Sequence, residues 1–258
     1  MIQEARLHRI RALLSTFNQV STERIAQDLG VSRETVRRDI LELEGQGALR
    51  RVHGGVVATE PQPELPLAVR QSVHAREKRA IARAAVQLVQ PGQTLFLDTG
   101  STTMLLAEEL STMSGLTIIT NGLHVAQKLA AADTQRQSGN EVILLGGMVQ
   151  PSLAATYGDH TVAEIHRYCA DVALLSPVGL SSVNGATSFE HREAAVARAM
   201  GERARRLIIL ADSSKLGQSS RVVYAEPQAI DVIVTDAGAR DLPELPQWSG
   251  QRCQVVLA

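Results

Sequence analysis

The chain has 258 residues, with 26 basic against 27 acidic side chains and a formal net charge of −1. Hydrophobic residues make up 44% and charged residues 21%, a globular composition that excludes a disordered or collagen-like chain. At roughly 150 residues per domain, the length favours two domains. No stretch approaches the ~20 apolar residues that cross a bilayer. The start, Met1 to Arg6, has an acid at the fourth position and no apolar core, so no signal peptide is expected. Cys169 and Cys253 are too few for a disulfide framework or a cysteine-based zinc site, and a reducing cytoplasm is the expected location. Aromatic residues, at 3%, argue against stacking platforms for single-stranded nucleic acid.

Residues 1–58 hold nine basic side chains, all arginine, against seven carboxylates. Leu7, Ile10 and Leu14 recur at helical spacing and predict an amphipathic first helix. Ser21 is placed to cap a second helix over 22–29 that buries Ile25 and Leu29. Gly30-Val31 supplies a break, and Ser32 caps a third helix running to about residue 44. At about 100° per residue, Val36, Ile40 and Leu43 share the packed face of that helix. Arg38 then projects nearly opposite, with Glu34 beside it and Thr35 and Arg37 on the flanks.

Two short helices across a glycine turn form the helix-turn-helix pattern, whose second member enters the major groove of DNA. Arginine there reads guanine and Glu34 can accept from cytosine, while Ser32, Arg33 and the helix N-terminus suit phosphate. Ser21 belongs to the same expected DNA face. Residues 48–56 read as a short hairpin, a wing whose Arg50, Arg51 and His53 can touch the DNA backbone or minor groove. A solvated arginine surface is the competing reading of any one helix. The succession of capped helix, glycine turn, capped basic helix and basic hairpin favours DNA.

The stretches Ser21-Thr22-Glu23-Arg24-Ile25-Ala26, Val31-Ser32-Arg33-Glu34-Thr35-Val36-Arg37-Arg38-Asp39-Ile40 and Arg51-Val52-His53-Gly54-Gly55 resemble the DNA-binding domain of the DeoR family. The resemblance covers nearly the whole chain. It implies a bacterial transcription regulator, most often a repressor of sugar or nucleoside catabolism.

After Val57, three prolines at 61, 63 and 66 mark a semi-rigid connector, taken as 59–75. From residue 76 to 258, short runs rich in Val, Ile and Leu at 94–97, 116–120, 141–145, 172–175, 207–210 and 232–235 fit strands buried on both faces of a parallel sheet. Helical patterns lie between many of them, for example at 103–110, 123–131 and 190–205, so this part is an α/β domain.

The run at 94–97 leads into Asp98-Thr99-Gly100-Ser101-Thr102-Thr103 and a helical pattern. A small, hydroxyl-rich loop at a helix start is a natural anion site: Gly100 permits close approach, and Ser101, Thr102 and Thr103 offer hydroxyls. Asp98 suits a sugar hydroxyl. Thr120-Asn121, Gly146-Gly147 and Asp212-Ser213-Ser214-Lys215 follow other strands, and ligands of open α/β sheets bind at strand carboxyl ends. Lys215, one of three lysines, suits a phosphate.

These segments, with Glu77-Lys78-Arg79-Ala80-Ile81-Ala82 and Phe189-Glu190-His191-Arg192-Glu193-Ala194, also resemble the DeoR effector domain. That resemblance implies a fold like ribose-5-phosphate isomerase and coenzyme A transferases, a phosphorylated sugar or polyol as effector, and Glu190 among the binding residues. The chain departs from the family pattern at Ser176-Pro177-Val178-Gly179-Leu180, where Pro177 removes a backbone donor.

The expected function is a repressor, acting as a homo-oligomer on double-stranded operator DNA and released by its effector. The alternative is a sugar-phosphate isomerase fused to a DNA-binding domain, with Asp98, Glu190, Asp212 and Lys215 as acid–base candidates; a shared fold does not carry activity across, and no turnover is expected. No cofactor is implied. His160 and His166 do not form a metal set, Cys169 reads as a core thiol, and Trp248 as packing for the C-terminal segment.

Overall fold

The computed structural model describes residues 2–17, 19–52, 55–58, 67–136, 139–248 and 253–258. The N-terminal unit contains α1 (Gln3–Phe17), β1 (Gln19–Ser21), α2 (Thr22–Leu29), α3 (Arg33–Gly45), β2 (Leu49–Val52) and β3 (Gly55–Ala58). Ser21 Oγ accepts from Arg24 N at 3.1 Å and Ser32 Oγ from Thr35 N at 3.2 Å, so each hydroxyl caps its helix. Gly30 ends α2 at φ 62°, a left-handed conformation that glycine adopts without a side-chain clash. Leu7, Ile10 and Leu14 pack with Ile25, Leu29, Val36, Ile40 and Leu43 into one core, closed below by Leu49 and Val56 of the hairpin.

The apolar pattern did not reveal β1, which pairs antiparallel with β3 and turns the expected two-stranded wing into a three-stranded sheet. A Cβ at Gly55 would collide with the Val20 carbonyl of β1, which explains a glycine there. Asp39, within the Arg-Arg-Asp stretch, is buried and not a DNA-facing group. Arg6 of α1 grips it with a two-pronged bond, Nε to Oδ2 at 2.7 Å and Nη2 to Oδ1 at 2.9 Å.

A helix, α4 (Leu67–Ser72), occupies part of the stretch expected to be connector, and α5 (Ala75–Val86) follows. The prolines at 61, 63 and 66 lie outside the described residues. Thereafter come β4 (Thr94–Leu97), α6 (Ser101–Leu110), β5 (Thr117–Thr120), α7 (Leu123–Arg136), β6 (Glu141–Leu144), β7 (Met148–Gln150), β8 (Ala155–Tyr157) and α8 (Asp159–Ile165). The remainder is β9 (Ala170–Leu175), β10 (Gly179–Ser181), β11 (Gly185–Ser188), α9 (His191–Glu202), β12 (Ala204–Leu210), β13 (Val222–Ala225), β14 (Val232–Thr235), α10 (Leu245–Trp248) and β15 (Gln254–Leu257).

Seven strands form one sheet in the order β15-β14-β12-β9-β4-β5-β6, and every pairing is parallel. Six of them correspond to the six apolar runs. The seventh, β15, at the sheet edge with exposed ends and two half-buried valines, was not among them. Alternate residues of each strand serve opposite faces. Leu95, Leu97, Ile208 and Leu210 pack under α5, α6 and α7, while Phe96, Leu207 and Ile209 pack under α9 and Trp248. The chain runs outward from β4 through β5 to β6 on one side, and from β9 through β12 and β14 to β15 on the other. Strands β4 and β9 are neighbours, so the sheet's direction of growth reverses between them. A small antiparallel sheet, β10-β11-β13, and the hairpin β7-β8 complete the domain. Cys169, expected in the core, is exposed, and its Sγ accepts from Arg203 Nη2 at 2.9 Å.

The Arg6–Asp39 pair ties α1 to α3 across a shared core. Removing the buried Asp39 carboxylate breaks both bonds and unties the two helices. Asp39→Ala therefore lowers the melting temperature of the N-terminal unit, read as a calorimetric transition that moves down while the α/β transition stays put.

Candidate functional site

Arg33, Glu34, Arg37 and Arg38 are all exposed on α3, opposite its buried Val36, Ile40 and Leu43. Thr35 is half-buried and its hydroxyl lies 2.9 Å from Ser32 Oγ. Arg33 pairs with Glu23, Arg37 Nη1 lies 3.8 Å from Glu34, and Arg51 Nε bonds Glu44 at 2.7 Å. Among the described residues, Arg38 and Arg50 make no ion pair. Both guanidiniums are exposed, on α3 and on the wing. A shallow groove between α3 and the wing is lined by Glu34, Arg37, Arg51 and Gly55. Ser21 and Ser32, expected at the DNA face, spend their hydroxyls as helix caps. His53 lies outside the described residues.

The second site is a cavity at the carboxyl ends of β4 and β9, where the sheet's direction of growth reverses. Open α/β sheets take their ligands at this position. Asp98 leaves β4 and is buried. Its Oδ2 accepts from the Ser176 amide, just past β9, at 2.9 Å, joining the two strand ends directly. Asp98 Oδ1 is buried with no hydrogen-bond partner, and so are Asn121 Oδ1, following β5, and the Tyr224 hydroxyl of β13. All three residues line the cavity and are at most 8% exposed.

Burial pushes the Asp98 carboxyl up to about 7. The Ser176 amide, the nearby Thr103 hydroxyl and the charges of Lys215 and Arg70 oppose the rise without cancelling it. Burial, and then the Asp98 charge, hold the Tyr224 phenol well above its ordinary value, so it remains a donor. Tyr157, Ser188 and Glu193 complete the polar wall, Ser188 Oγ donating to Glu193 at 3.2 Å.

Several residues expected in the pocket do other work. Thr103 Oγ1 donates to the Gly100 carbonyl at 3.2 Å, Thr120 Oγ1 accepts from Gly122 N at 3.0 Å, and Ser101 and Thr102 are buried away from the cavity lining. Gly100 packs against Ser176. Gly146 and Gly147 are not in the cavity. They follow β6, the outermost strand, and open onto a separate depression with His160 and Arg167, where Gly146 N donates to Glu164 at 2.7 Å.

Glu190 sits exposed at the start of α9, and the acid one turn later, Glu193, faces the cavity instead. Burial works to raise the Asp212 carboxyl, but the Lys215 charge, the Ser214 hydrogen bond, Lys78 and His74 outweigh it and hold it low. Lys215 Nζ donates to Ser176 Oγ at 3.1 Å and to the Pro177 carbonyl at 2.5 Å, bracing the loop whose amide holds Asp98. Among the described residues, no cluster of His, Cys, Asp and Glu could hold a metal ion, and no helix is long and apolar enough to cross a membrane.

Arg70, Tyr157, Ser188 and Tyr224 escaped the sequence reading because they come from α4, β8, β11 and β13, none of which ends in a recognisable loop motif, while Glu193 stood in the matched stretch from which Glu190 was taken. Ser176 was within reach, since it follows an apolar strand as Asp98 does.

Known proteins share both parts of the chain. Residues 6–62 match the family model of the DeoR-like helix-turn-helix domain, and residues 73–237 that of the DeoR C-terminal sensor domain. The chain is 35% identical to the HTH-type transcriptional repressor GlcR of Bacillus subtilis (strain 168), over 92% of this chain and 89% of that protein. It is 31% identical to the glycerol-3-phosphate regulon repressor of Escherichia coli (strain K12), over 92% of each, and 33% identical to the putative aga operon transcriptional repressor of Escherichia coli O157:H7, over 81% and 77%. Ribose 5-phosphate isomerase A of Methanocaldococcus jannaschii overlays 55% of each chain at 18% identity and a TM-score of 0.39, too distant a likeness to bear on function. With one model matched across the helix-turn-helix and another across most of the α/β domain, the chain belongs to the DeoR family of transcriptional repressors.

Proposed function

We propose that the chain is a ligand-responsive repressor, acting in the cytoplasm as a homo-oligomer. The α3 face and the wing bind operator DNA, and a phosphorylated sugar or polyol bound in the cavity of Asp98, Asn121 and Tyr224 releases it. One observation carries the sensor half: three nine-tenths-buried polar atoms around one cavity lack a partner. An unmade hydrogen bond at a buried group costs about 1–3 kcal/mol, and a ligand rich in hydroxyls supplies the missing partners. That a relative sharing 92% coverage is the glycerol-3-phosphate regulon repressor supports a phosphorylated polyol as the ligand class. An isomerase reading finds no support. Of its four acid–base candidates only Asp98 lines the cavity, and the family is one of repressors.

On the DNA side, Arg38 reads a base, while Arg50 and Arg51 touch phosphate. Arg38→Ala reduces discrimination between operator and a base-substituted duplex by about 1–3 kcal/mol, measured by competition binding. Unchanged discrimination sinks its base-reading role. Arg50→Ala instead weakens binding to both duplexes alike and flattens the salt dependence by about one unit.

On the sensor side, coupling of ~1–3 kcal/mol between ligand and DNA changes operator affinity about 5–150-fold. A thermal-shift screen of phosphorylated sugars and polyols, followed by operator release with the best of them, tests this. Asp98→Ala abolishes both responses, and a mutant that responds normally refutes the cavity.

The raised Asp98 carboxyl also has a pH signature. Between about 4 and about 7 the folded chain holds a proton that the unfolded chain has released. This group's contribution to stability therefore falls as pH climbs through that window and is flat above it, a loss on the order of a few kcal/mol. Asp98→Asn, compared with wild type at pH 4.5 and 7.5 by chemical denaturation, gains more at the higher pH.

A further inference from the structure

One wall of the sensor cavity comes from outside the α/β core. Arg70 belongs to α4, on the segment that leads back to the wing, yet it lines the cavity together with Asp98 and Tyr224. Its main chain is anchored. The buried ammonium of Lys78, on α5, donates to the carbonyls of Arg70 and Val73 at 2.7 Å each. A cation at the carboxyl end of a helix satisfies carbonyls that have no intrahelical partner. Immediately after this tie point, His74 adopts a left-handed φ of 53°, a conformation that side chains other than glycine adopt only where their surroundings impose it.

Among the described residues Arg70 is the one cation on the cavity wall, and the other charged groups lining it are the carboxyls of Asp98 and Glu193. Asn121, Ser188 and Tyr224 offer neutral partners for hydroxyls. A planar guanidinium is the side chain best matched to a phosphate, which it meets with two parallel bonds.

We propose that Arg70 binds the phosphate of the effector, so that the ligand is gripped partly by the segment joining the two domains. This rests on the sensor reading above and gives it a route to the DNA-binding unit. A ligand shifts a conformational equilibrium only through contacts that differ between the states. The bond from phosphate to Arg70 exists only while α4 lies against the core, so an occupied cavity holds α4 in place and with it the start of the chain's path to the wing.

The test uses the full-length protein and a panel of three- to six-carbon phosphoesters, from glycerol 3-phosphate to glucose 6-phosphate. For the phosphoester that raises the wild-type melting temperature, Arg70→Gln weakens binding at least tenfold and Arg70→Lys restores part of it. Arg83→Gln makes the same charge change at an exposed site paired with Glu109, outside the cavity, and leaves affinity within twofold. Amide hydrogen exchange across 67–73 slows on binding in wild type but not in Arg70→Gln. Equal affinity of wild type and Arg70→Gln, or exchange at 67–73 that ignores the ligand, overturns the role of Arg70 and leaves the sensor reading standing. A wild-type chain that responds to no phosphoester in the panel overturns both.

Discussion

Parallel alignment of seven strands is the constraint from which the sensor domain follows. Parallel strands send every carboxyl end to the same edge, so loops far apart in sequence leave the sheet side by side. Between β4 and β9 the succeeding strands depart in opposite directions, and no crossover covers the gap. The bond from the Ser176 amide to Asp98, joining residues 78 apart, spans that gap, and both residues line the cavity. Lys215, arriving from β12 on the next strand over, braces the loop from behind.

Burial of polar groups gives the cavity its character. A folded domain pairs nearly all of its buried donors and acceptors, yet three of them meet here with a bond unmade. The cost of those groups is carried by the two hydrophobic layers above and below the sheet. The same logic separates the two kinds of charge in the N-terminal unit. Asp39 is satisfied by a forked arginine and locks helices together, whereas Arg38 and Arg50 are exposed to solvent.

Local patterns were well expressed in the order of residues. The 3.6-residue spacing of Leu7, Ile10 and Leu14, the serine caps at 21 and 32, and the glycine at 30 each depend on neighbours within one or two turns, and the helices formed where these signals lie. Six of the seven parallel strands announced themselves as continuous apolar runs, and five of them, β4, β5, β9, β12 and β14, lie inside the sheet and are largely buried, while β6 forms its edge. Strand β1 and strand β15 did not; each pairs with a single neighbour, β3 and β14, at the edge of its sheet.

Fold class, the exposed arginines of α3 and the wing, and the acid at the end of β4 could therefore be read directly from residue spacing, because helix periodicity, capping and strand burial are short-range properties. Which strand ends share a cavity could not. Gly146-Gly147 and Asn121 look alike as loops after apolar strands, but sheet order puts one pair at the margin and the other residue beside the reversal point. Arg70 carries no local mark at all. It reaches the cavity because Lys78 and the turn at His74 hold its helix, which packs on α6, more than twenty residues before the first strand of the sheet.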